Sequence, residues 1–113
     1  MSKKAIVVWV SLLSMALAGS ALADDGNGAV TMVLNGGSQG DVSFPHKLHQ
    51  DKLQDCDVCH TLFPMEPGII QNLIKSGKLK PKQVMQKCKI CHERTKDQGH
   101  TAGPTSCDSC HDK

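Results

Sequence analysis

Three stretches of the chain repeat one reactive pattern: CDVCH at Cys56–His60, CKICH at Cys88–His92 and CDSCH at Cys107–His111. All six cysteines fall inside these stretches and none is left over. Two thiols separated by two residues suit a tetrahedral zinc site, a dithiol or disulfide, or the paired thioethers that tie a haem to a polypeptide. The histidine that directly follows each pair separates these readings. Neither a zinc site nor a disulfide needs it, whereas in haem attachment the thiols add to two vinyl groups and the next imidazole becomes the proximal iron ligand. The repeat therefore predicts three covalent haem c groups, held by Cys56 and Cys59, by Cys88 and Cys91, and by Cys107 and Cys110. His60, His92 and His111 are the expected proximal ligands.

Each iron then has a second axial position to fill. His46, His49 and His100 lie outside the motifs. His46 and His49 stand three apart just after Pro45, a spacing that suits the first turn of a helix. Two imidazoles about 60° apart around a helix share a face but cannot both occupy one axial position, so they are expected to point at two different haems. Phe44, immediately before, is placed to pack between the porphyrin faces.

The order F-x-H-x-x-H, then CxxCH, then two further CxxCH motifs resembles the class III multihaem cytochromes c, and specifically the triheme cytochrome c7 type. The resemblance covers essentially all of residues 24–113. It implies a small, mostly irregular, α-containing fold with a short N-terminal β-hairpin, a few short helices and three covalent haems as its core. By position it also implies that His46 completes the haem of Cys56, Cys59 and His60, and that His49 completes the haem of Cys88, Cys91 and His92. For the remaining haem, the c7 type usually has a histidine a few residues before the second CxxCH. The matching stretch KQVMQKCKICH has none. Met85 stands near the expected place, and a thioether is an accepted iron ligand. His100, in the loop before Cys107, is the rival distal ligand, favoured by counting two histidines per haem. Met65, in the turn between Pro64 and Pro67, is a weaker third candidate.

The elements that must position these groups are few. Lys3 and Lys4 precede an apolar run from Ala5 to Ala18, and Ala21–Ala23 offers the small residues of a signal-peptidase site, so residues 1–23 are expected to be a cleaved signal peptide. The run is shorter than the roughly 20 residues that span a bilayer, so no stable membrane insertion is expected after cleavage. The expected domain is then 24–113. Its loss of two lysines lowers Lys+Arg from 13 to 11 against 11 Asp+Glu, which leaves nothing to recommend nucleic acid or an anionic membrane as a partner. Only two aromatic residues, Phe44 and Phe63, remain, too little for a side-chain core in so short a chain. Large cofactors have to supply the interior.

AVTMVL and DVSF, separated by NGGSQG, predict a hairpin. GIIQNLIKSGKL predicts a helix ending near Gly77, its apolar side covering a haem, and Pro81 opens a further helical turn leading into Cys88. The functional expectation is a periplasmic electron carrier, not an enzyme, that exchanges electrons with membrane or periplasmic cytochromes and reductases. The alternative is a terminal reductase of metal ions or small oxyanions at an iron lacking its sixth ligand.

Overall fold

The computed structural model describes residues 26–113. The signal peptide expected over 1–23 lies outside the described residues.

Two three-residue strands, β1 (Met32–Leu34) and β2 (Val42–Phe44), form the expected hairpin. They pair antiparallel with Met32 opposite Phe44 and Leu34 opposite Val42. Side chains alternate across a strand, and the apolar set Met32, Leu34, Val42 and Phe44 is half-buried while Val33 and Ser43 face outward. A single 3-10 turn at Gly37–Gln39 spans the connection.

Pro45 ends the hairpin and caps α1 (His46–Leu53), so both histidines of the sequence pattern start the helix as expected. A bond from Lys47 N–H to the Val30 carbonyl (3.0 Å) fastens α1 to the hairpin. The first CxxCH folds as the short helix α2 (Asp57–His60). The next helix, α3 (Ile69–Lys75), stops where Gly77 takes a left-handed conformation (φ 74°). There Lys78 N–H reaches the Leu73 carbonyl at 2.9 Å and Gly77 N–H the Ile74 carbonyl at 3.0 Å. This is the Schellman closure, and it delivers Leu79 into the interior.

The helical turn expected after Pro81 is longer than the sequence pattern indicated. It runs on as the 17-residue α4 (Pro81–Asp97), which carries the whole second motif. Pro81 opens it in the position where a missing N–H costs nothing, and the Gln83 side chain accepts a bond from Lys80 N–H at 2.8 Å. From there to Gly99 neither glycine nor proline interrupts residues of good helix propensity, and Lys89 pairs with Glu93 one turn on. The third motif forms α5 (Cys107–Cys110).

Among the described residues only Phe63 and Leu79 are buried hydrophobic side chains. The elements instead surround a cleft of about 2480 Å³ that reaches from the hairpin to α5. Ile69, Ile70 and Ile74 of α3 line it, so the apolar side of that helix faces the cleft as expected.

Candidate haem sites

Members of all three CxxCH motifs line the cleft. Shared equally, its volume gives each motif roughly 830 Å³, inside the range of about 300–1,000 Å³ for a site that holds one organic cofactor. The six cysteines form no disulfide. Nor are three or more His, Cys, Asp or Glu side chains gathered as a zinc site would require among the described residues.

Helix α1 brings its two histidines to different motifs. The ring centroids of His46 and His60 lie 6.2 Å apart with planes crossed at 80°. Those of His49 and His92 lie 6.1 Å apart with planes 28° from parallel. Two metal–nitrogen bonds of about 2 Å, plus the distance from each nitrogen to its ring centre, require a separation of about 6 Å between imidazoles sharing one metal. Both pairs therefore fit an iron between them. Phe44 packs against the same rings, its centroid 4.5 Å from His49 and 6.0 Å from His46, so it backs the two imidazoles.

A second pattern involves only backbone. In each of these rings Nδ1 meets a main-chain carbonyl: His60 at Phe63 (2.7 Å), His92 at Pro104 (2.7 Å), His111 at Gly40 (2.8 Å), His46 at Ala29 (3.1 Å) and His49 at Pro45 (2.9 Å). With its proton on Nδ1 donated to the carbonyl, a neutral imidazole presents Nε2 as its lone-pair atom. Five rings are thus held in the tautomer that a metal needs. The carbonyls come from separate parts of the chain: three residues on for His60, twelve for His92, and 71 residues back for His111. Two glycines make room. A Cβ at Gly103 would stand 2.5 Å from the His92 ring, and one at Gly36 would stand 1.7 Å from the Gly40 carbonyl oxygen and 2.5 Å from His111 Nδ1.

These carbonyls escaped the sequence reading because every residue has one and only the folded path selects among them. No imidazole stands opposite His111 among the described residues as His46 stands opposite His60. Met85, Met65 and His100 all line the cleft. Met85 and Met65 are 54% and 66% exposed. His100 sits just past α4, and its ring has no hydrogen-bond partner among the described residues.

The thiols of Cys59 and Cys88 are pushed above the ordinary value of 9.0, chiefly because surrounding chain desolvates the thiolate; neighbouring thiols add to this, while Lys87 opposes it at Cys59. Both side chains therefore stay protonated at neutral pH in the polypeptide before attachment.

A fold built around a cofactor cleft and thrice-repeated haem attachment define a small multihaem c-type cytochrome. The sequence model of the family described as "Cytochrome c7 and related cytochrome c" matches residues 42–112. The chain is 40% identical over 74 residues to a cytochrome c7 of Geobacter metallireducens (strain ATCC 53774 / DSM 7210 / GS-15), spanning 66% of this chain and 67% of that protein. It is 35% identical over 75 residues to a cytochrome c3 of Desulfuromonas acetoxidans, spanning 66% and 87%. The solved structure of PpcB, a cytochrome c7 from Geobacter sulfurreducens, superposes with a TM-score of 0.53 at 35% identity, covering 75% of this chain and all of that one. The chain belongs to the cytochrome c7 family, and its cofactors are three covalently bound haem c groups. As in that family, its function is electron transfer.

Proposed function

We propose that the chain is a periplasmic electron carrier in which His46 and His60 hold the first iron, His49 and His92 the second, and His111 with Met85 the third. The observation that carries this reading is the pair of imidazole separations near 6 Å, which leaves the first two irons no position for a substrate. When bound, haem c supplies a one-electron ferric/ferrous couple. The protein's part is to fix that couple. The motif cysteines anchor each porphyrin, the histidines supply paired nitrogen ligands, and five backbone carbonyls hold those rings in place.

Met85 is favoured over His100 because it shares a face of α4 with His92, seven residues away, and so faces the cleft from a rigid helix. A thioether at the third iron raises its potential above the two bis-histidine sites, giving the electron a preferred resting place. Near-infrared magnetic circular dichroism tests this. The methionine charge-transfer signal should vanish in Met85→Ala and persist in His100→Ala; the reverse response of the ligand bands assigns His100.

The lack of an imidazole opposite His111 also supports a second reading, a terminal reductase working at an open third iron. Carbon monoxide binding to the native reduced protein would favour that reading over the carrier. The partners proposed are membrane or periplasmic redox proteins. Export is supported by the signal-like residues 1–23, and no helix among the described residues is long and apolar enough to cross a membrane. N-terminal sequencing of the protein from a periplasmic fraction should begin at Asp24.

A further inference from the structure

At the edge of the haem cleft, sharing Val58, Gln86, Lys87, Cys91 and Thr95 with it and adding Ile90 and Arg94, lies a notch of about 210 Å³ between α4 and α2. Its apolar lining comes from Val58, from within the first CxxCH, and Ile90, which is 50% exposed. Lys87 and Arg94 flank that lining, seven residues apart and so separated by about 10.5 Å along the helix axis. Neither cation has a carboxylate partner among the described residues, and no carboxylate lines the notch. The nearby Glu93 is already held by Lys89. Cys91, an attachment point of the second haem, also borders the notch, so a molecule seated there lies beside a residue that joins porphyrin to chain.

Resting on the electron-carrier reading, we propose that Lys87, Ile90 and Arg94 form the docking site for an acidic redox protein, which exchanges electrons with the second haem beside Cys91. The notch is smaller than the roughly 300–1,000 Å³ of sites that enclose small organic ligands. A half-exposed aliphatic side chain between two unpaired cations instead matches the apolar centre and charged rim of a protein interface. Its charge selects a partner with carboxylates on either side of an apolar contact. One electron moves per encounter: the reduced partner is oxidised and the ferric second iron becomes ferrous, with no bond made or broken.

The probe is a plant-type two-iron ferredoxin, an acidic low-potential donor, mixed in its reduced form with the oxidised holoprotein in a stopped-flow spectrometer. The wild-type rate should fall steeply with salt. The double variant Lys87→Glu/Arg94→Glu should lose at least about ten-fold at low salt and much of its salt dependence, the scale expected when steering charges are reversed. Ile90→Asn should slow the reaction while keeping the wild-type salt slope. Lys75→Glu/Lys78→Glu makes the same charge change elsewhere and should retain most of the rate. A loss in this second pair equal to that in the first, or no loss in either, overturns the proposal. Reduction of every variant by dithionite is measured alongside. Three haems that fail to reduce there would refute the carrier reading itself, whereas full reduction with an unaltered ferredoxin rate refutes only the docking site.

Discussion

Replacing Gly103 with alanine should raise the potential of the second haem without touching the first. The added Cβ would stand 2.5 Å from His92 Cε1, 2.9 Å from Nε2 and 3.0 Å from Nδ1. Ordinary carbon contacts begin near 3.5 Å, so ring and loop must separate by about 1 Å. His92 is fixed by its iron, which leaves the 103–104 loop to recoil. A shift of that size stretches the 2.7 Å contact between His92 Nδ1 and the Pro104 carbonyl past hydrogen-bonding range. Donation from Nδ1–H to the carbonyl makes the imidazole more electron-rich and favours ferric iron, so losing it favours ferrous iron and moves the potential upward. If the bond's net value of about 0.5–1.5 kcal/mol acts on one oxidation state, the rise is roughly 20–65 mV, at 59 mV per 1.4 kcal/mol for one electron. Overpacking should also cost about 1–3 kcal/mol of stability. Gly99→Ala is the control: its backbone is left-handed (φ 81°) and nothing lies within 4 Å of the new Cβ, so it should lose stability and keep its potentials. Visible-region redox titration, with haem assignment by NMR, measures both. Unchanged potentials in Gly103→Ala, or an equal shift in Gly99→Ala, would refute the reasoning.

The crossed rings of His46 and His60 and the near-parallel rings of His49 and His92 should give distinct low-spin ferric EPR signals, one strongly anisotropic and one rhombic. A single type for both haems would contradict those angles. Substituting His46→Ala should open the first iron, seen as new carbon monoxide binding by about one equivalent per chain. Replacing all six cysteines with alanine should remove most of the helical circular dichroism, because only Phe63 and Leu79 are buried hydrophobic residues among those described. A native-like spectrum from that variant would mean that side chains alone support the fold.

How far the sequence could be read depended on whether a signal was local. The CxxCH spacing, the turn glycines between the strands and Pro45 ahead of two histidines are short-range patterns; the first predicted the three haem c groups, the second the hairpin and the third the start of α1. The length of α4 was underestimated because its second half carries the attachment motif, whose cysteines and histidine hide an otherwise good helix former. The ring-holding carbonyls at Phe63, Pro104 and Gly40 were illegible for a different reason. They depend on which distant loop passes a histidine, and Gly36 and Gly103 reveal their purpose only when the neighbouring ring is in view. Closure of the third motif was contested in the sequence because the expected histidine is missing, and the fold directs three candidate side chains to the same cleft.

The contact between His111 and Gly40 also sets an order of assembly. Beside it, Asp112 N–H bonds to the Asp41 carbonyl at 2.8 Å, so the connection between β1 and β2 is locked by residues from the other end of the described chain. During synthesis the hairpin emerges long before its clasp, and closing so large a loop is a slow, entropically costly step. The first motif, whose ring is held three residues away at Phe63, can mature on its own stretch of chain. The last one cannot be oriented until the 71-residue span between Gly40 and His111 has closed, so its imidazole depends on long-range folding where the first depends on a local turn.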